Sequence, residues 1–119
     1  MERFSESVIA MNPSTAWLVL LVAGLFEVVW AVALKFSDGF SRLWPSVTVV
    51  VGAAISFWLL ALAMRELPAG SAYAVWVGVG AAGTAIFGMI LLGEPATAAR
   101  LFCLGLILAG VLGLKWLGS

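Results

Sequence analysis

Residues 25–35 read LFEVVWAVALK and set one carboxylate, Glu27, in an apolar run with no basic residue within a turn of it. Burial favours the neutral acid, whereas a bound cation favours the carboxylate, so proton and cation compete for a group placed in this way. The residues that wall it follow from helical spacing. Gly24 stands three positions before Glu27 and Trp30 three after, on one face. Tyr73 and Trp76 repeat that i, i+3 spacing, and Gly80 and Gly83 continue their face. Aromatic faces attract cations, and the polar tips of Tyr and Trp can hold a carboxylate in position. Gly52 and Ser56, four apart, form a small and weakly polar face; Ser56 is either a hydrogen-bonding member of the site or a helix-packing residue. The chain has no histidine, which excludes His-based metal sites and Ser-His or Cys-His triads. Its one cysteine, Cys103, sits in a late apolar run where a thiol behaves as a small hydrophobe.

The elements that must carry these residues are membrane spans. Of the 119 residues 64% are hydrophobic and 10% charged, with a mean hydropathy of +1.17. That lies far from the roughly 45–50% apolar and about 25% charged of soluble domains. A span needs about 20 apolar residues, so the chain holds four and leaves no room for a soluble catalytic domain. It does not read as an enzyme. Formal net charge is zero and the six bases are scattered singly, which removes nucleic acid as a partner.

Residues 1–15 are polar at their edges and contain Pro13 as a breaker, and they read as a mobile N-terminal tail; Met11 serves equally well as a start. Residues 16–119 read as a four-helix transmembrane domain with spans at about 16–36, 44–64, 71–92 and 98–117, broken by turn clusters such as Ser37-Asp38-Gly39 and Gly93-Glu94-Pro95. Short connections predict an up-down-up-down bundle. Glu27 then lies near mid-membrane, where an acid costs about 2.5–3.5 kcal/mol on insertion scales and marks a functional site. GVGAAG at 78–83 has the form G-x-G-x-x-G but falls inside a span, so it is no dinucleotide loop. It reads as a closely packed point at which Gly78 and Gly80 serve as a hinge. Ala109 to Gly113 in the last span read as packing between two chains.

Both termini fall on one side of the membrane. That side carries Arg3, Arg65 and Lys115, and the other carries Lys35, Arg42 and Arg100. With no Lys/Arg bias the chain has no preferred orientation. Opposite-facing copies would pair about an axis in the membrane plane, the geometry of inverted-repeat transporters.

The four short spans, the lone first-helix glutamate, Ala72-Tyr73-Ala74-Val75-Trp76 and Gly78-Val79-Gly80 resemble the small multidrug resistance family of proton-coupled exporters. The resemblance covers residues 16–117. It implies an all-α, antiparallel, dual-topology homodimer, multi-pass in a bacterial inner membrane, with no cofactor. Phe26-Glu27-Val28-Val29-Trp30 and Gly93-Glu94-Pro95 are similar to the guanidinium exporter subtype, since drug-exporting relatives carry a small residue where Trp30 stands. Carried over, Glu27 is the shared proton and substrate carboxylate, Trp30 and Ser56 constrain it and the pocket, Tyr73 and Trp76 line the pocket, and Gly24 is a close-approach position. The expected partners are protons, guanidinium-type cations, the bilayer and a second copy of the chain. Alternatives are a quaternary ammonium exporter on the same scaffold, a small dual-topology ion channel, and a non-transporting assembly subunit.

Overall fold

The computed structural model describes residues 12–117. Four helices follow one another: α1 Pro13–Phe36, α2 Leu43–Ala63, α3 Ala69–Leu91 and α4 Ala98–Trp116. Each is long and apolar enough to cross a membrane. Their 19 to 24 residues, at about 1.5 Å rise each, match a hydrocarbon layer of about 30 Å.

The largest departure from the expected boundaries is at the first helix, which begins at Pro13 and not at Ala16. Asn12 is its cap: the side-chain oxygen accepts the Thr15 N–H at 2.8 Å. Pro13 follows in the first turn, where a missing N–H costs nothing. Residues 13–15, read as tail and breaker from the sequence, are helix. The rest of the expected tail, residues 1–11, lies outside the described residues.

The α1–α2 turn is fixed by hydroxyls. Buried Ser37 donates to the Leu34 carbonyl at 2.7 Å and accepts the Phe40 N–H at 3.1 Å. Between them Asp38, Gly39 and Phe40 all take left-handed backbone, φ 48°, 70° and 64°, a conformation rare for Asp and rarer for Phe. The α3–α4 connection uses Gly93 at φ 66°, the Thr97 cap that accepts the Arg100 N–H at 3.2 Å, and a half-exposed Glu94–Arg100 ion pair at 2.9 Å.

Packing places α1 between α2 and α3. The core joins Ala16, Leu20 and Ala23 of α1 to Leu60 and Ala63 of α2 and to Ala72, Val75 and Trp76 of α3. Small residues predominate because lipid tails are as apolar as the side chains, and close backbone approach supplies the attraction instead. Holes left by glycine take larger neighbours: a Cβ at Gly24 would stand 2.7 Å from Val79, one at Gly52 3.1 Å from Trp30, and one at Gly83 would meet Val28.

The fourth helix stands apart. No residue of α4 is buried, and it packs chiefly on α3, where Gly78 receives Val111. Its Lys115 ammonium lies 5.5 Å from the Trp17 ring centre. The chain measures 47 × 36 × 17 Å, flat where a square four-helix bundle would have two equal cross-dimensions. The bundle expected from the short loops is therefore open. A helix apolar on every side has no face that must be hidden from lipid, so nothing forces closure.

Candidate functional site

Among the described residues, every charged side chain except Glu27 lies in a loop or a terminal turn of a helix. Glu27 projects from the interior of α1 onto α3 at Gly80, whose missing side chain leaves the space that the carboxylate fills. Its Oε2 is buried and has no hydrogen-bond partner. An ionised oxygen in that setting lacks the partner that burial of a charge demands, and a proton or a cation would satisfy it.

Ser56 stands at the junction of three helices and is fully buried. Its hydroxyl donates to the Ala23 carbonyl of α1 at 2.7 Å and accepts from Trp76 Nε1 of α3 at 2.9 Å. With its one proton committed to a backbone carbonyl, Ser56 orients the Trp76 ring and does not bond Glu27. Trp76 in turn begins a row of aromatics. Phe57 packs on it with ring centres 5.2 Å apart, Tyr73 at 5.5 Å, and Trp30 reaches Phe57 at 6.3 Å. Tyr73 and Phe57 are exposed, whereas Trp76 is buried. Trp30 seats its Cβ against Gly52, and its Nε1 is a second buried polar atom without a partner.

The structure joins Trp30, Ser56, Tyr73 and Trp76 of α1, α2 and α3 through Phe57 and the Trp76–Ser56 bond, whereas Glu27 meets α3 at Gly80 and Trp30, one turn on, meets α2 at Gly52. Gly24 faces Val79 and brings α1 and α3 together one turn before the acid. The two glycines read as a hinge lie in uninterrupted helix, Gly78 against Val111 of α4 and Gly80 beneath Glu27. A groove of about 500 Å³ between α1 and α3 is lined by apolar residues such as Val28, Val32, Phe36 and Phe87, and these side chains offer a cation nothing to bind. No three acidic, cysteine or histidine side chains among the described residues converge as a metal ligand set.

A sequence-family profile described as Small Multidrug Resistance protein matches residues 15–107. The chain belongs to the small multidrug resistance family. Within that family it is similar to proteins named guanidinium exporter. One from Yersinia pseudotuberculosis serotype I (strain IP32953) is 62% identical over 100 residues, covering 84% of this chain and 96% of that protein. One from Salmonella typhimurium (strain LT2) is 58% identical over 84% of this chain and 95% of that protein, and one from Citrobacter freundii is 57% identical over the same shares.

Two site features of this small multidrug resistance protein escaped the sequence reading. Phe57 links the Trp30 and Trp76 rings, yet in sequence it is one apolar residue among many beside Ser56. Thr84 carries the third buried, unpartnered polar atom, its Oγ1. The signal for Thr84 was present, since it extends the 73, 76, 80 stripe of α3 by four residues.

Proposed function

We propose that the protein is a proton-coupled antiporter that exports guanidinium and small guanidinyl cations, working as an antiparallel homodimer in a bacterial inner membrane. The observation that carries this reading is the buried, unpaired oxygen of Glu27 in the interior of an apolar helix that also carries Trp30, the first of the row Trp30, Phe57, Trp76 and Tyr73. A guanidinium ion is planar, offers a fork of N–H donors that fits a carboxylate bidentately, and stacks on aromatic rings. It keeps its charge at any physiological pH and so cannot leave a cell by losing a proton. The names of the relatives from Yersinia and Salmonella support the same substrate.

Exchange follows from competition. Glu27 holds either a proton or the cation, and each displaces the other; a dimer open to one side at a time then couples their movements. Rocking about Gly78 and Gly80 supplies the change of access. Two features support a second copy: α4 buries none of its residues within the protomer, and open space surrounds Gly105, Gly110 and Gly113. The balanced Lys/Arg distribution supports opposite orientations of the two copies.

The test is transport current from purified protein in liposomes, with guanidinium compared with a tetraalkylammonium ion across a pH series. Guanidinium current that disappears in Glu27→Gln and reverses under an opposing proton gradient is expected. Equal current for the bulky ion moves the assignment to quaternary ammonium export, and guanidinium current that survives Glu27→Gln refutes the mechanism.

A further inference from the structure

Three polar atoms among the described residues are buried without a partner: Glu27 Oε2, Trp30 Nε1 and Thr84 Oγ1. The buried hydroxyl of Ser56 and the indole of Trp76 are engaged, because Trp76 donates to Ser56 and Ser56 to the Ala23 carbonyl. One acceptor and two donors are therefore left over, and Thr84 is the donor supplied by α3.

Its placement is set by helix geometry. Gly80, the residue on which the Glu27 carboxylate rests, lies four positions before Thr84. Side chains of an α-helix tilt toward its N-terminus, so the Thr84 Cβ leans toward the turn of Gly80. Side chains four apart are about 5–6 Å from each other at Cβ, and the carboxylate occupies the Cβ position that Gly80 lacks. A hydroxyl on the Thr84 Cβ is then within the span of a one-water hydrogen bond to that carboxylate; the two make no direct bond. A threonine in mid-helix ordinarily spends its hydroxyl on the carbonyl four residues back; here Oγ1 makes no such bond.

We propose that Thr84 is a positioning residue for Glu27, its hydroxyl donating through one water to the ionised carboxylate from the α3 side and thereby favouring the cation-binding form over the protonated one. This rests on the antiport reading above. No other group is placed to mimic the effect. Helix α2 has no titratable side chain and α3 has only Tyr73; on α1, Lys35 is in the last turn; on α4, Arg100 is paired to Glu94, Lys115 lies over Trp17, and Cys103 is exposed.

The experiment measures guanidinium binding to the full-length protein in liposomes by tryptophan fluorescence over a pH series, for wild type, Thr84→Val, Thr84→Ala, Thr84→Ser and Glu27→Gln. Loss of the hydroxyl in the Val and Ala variants moves the pH of half-maximal binding upward by about half a unit to one unit, the scale of one lost hydrogen bond to a charged group. Thr84→Ser restores the wild-type profile. Ala and Val profiles that superimpose on wild type overturn the proposal, as does a Ser variant that behaves like Val. Two small replacements keep the test valid if one variant fails to fold. Binding by Glu27→Gln with an unchanged pH profile would instead refute the antiport reading, whatever the Thr84 variants do.

Discussion

Replacing Gly80 with alanine separates the seat of the carboxylate from the stability of the fold. A Cβ at this position would stand 2.8 Å from Glu27 Cγ, against the 3.4 Å or more of an ordinary contact, and the carboxylate lies closer still. The obstructing atoms belong to the far end of a flexible side chain, so the helix keeps its place and the acid moves. Alanine also raises intrinsic helix propensity by about 0.8–1 kcal/mol, and the variant is expected to melt no lower than wild type. Binding is another matter. A carboxylate displaced by about 1 Å loses a bidentate pair to guanidinium, and hydrogen bonds to charged groups contribute about 1.5–3 kcal/mol each. Loss of one weakens guanidinium binding by roughly 10- to 100-fold at 25 °C. Gly78→Ala is the control, because its Cβ meets Val111 of α4 at 2.6 Å, on a different face from the acid. Isothermal titration in detergent, alongside thermal unfolding, reads both quantities. Wild-type affinity in Gly80→Ala, or an equal loss in Gly78→Ala, would refute the reasoning that Gly80 seats the carboxylate.

Other expectations follow from the same geometry. Ser56→Ala leaves the Trp76 indole N–H and the Ala23 carbonyl without their partner, and thermal unfolding should register a loss of about 1–3 kcal/mol; an unchanged melting point would show that water or another group takes over. Acidification favours the protonated Glu27, so guanidinium affinity should fall by about tenfold per pH unit on the acid side, with about one proton released per cation bound there and about half a proton at the midpoint. Proton release measured in weak buffer checks this, and binding without release would contradict competition at one carboxylate. Glu94→Gln breaks the half-exposed pair with Arg100 and should cost only about 0.2–1 kcal/mol while leaving guanidinium transport intact, as liposome flux will show.

Glu27 was legible in the sequence because a charge in an apolar run has no inconspicuous explanation, and the spans were legible because lipid demands long apolar helices. The faces of each helix could be read from spacing: Tyr73 and Trp76 share one in the structure as the i, i+3 interval requires. Which faces meet could not be read in this way. Spacing assigned Gly80 to a face but could not say that Glu27 would fill its space, and a glycine in sequence looks the same as a hinge, a hole or a packing surface. Ser56 was noticed for its polarity, but its partners lie 33 and 20 residues away, beyond any local pattern. The early start of α1 was readable and missed: Asn12 before Pro13 is a cap followed by a first-turn proline. The detached α4 has no sequence signature at all, because uniform apolarity suits lipid and protein neighbours equally.

The fourth helix has a consequence for biosynthesis. The core and the Ser56 bonds lie wholly within α1, α2 and α3, and chains are made from the N-terminus onward. By the time residue 98 leaves the ribosome, the residues that surround the carboxylate already have their neighbours. The last helix is added to a surface already formed, and what it must match there is local: Val111 and Leu114 against the core and Lys115 against Trp17.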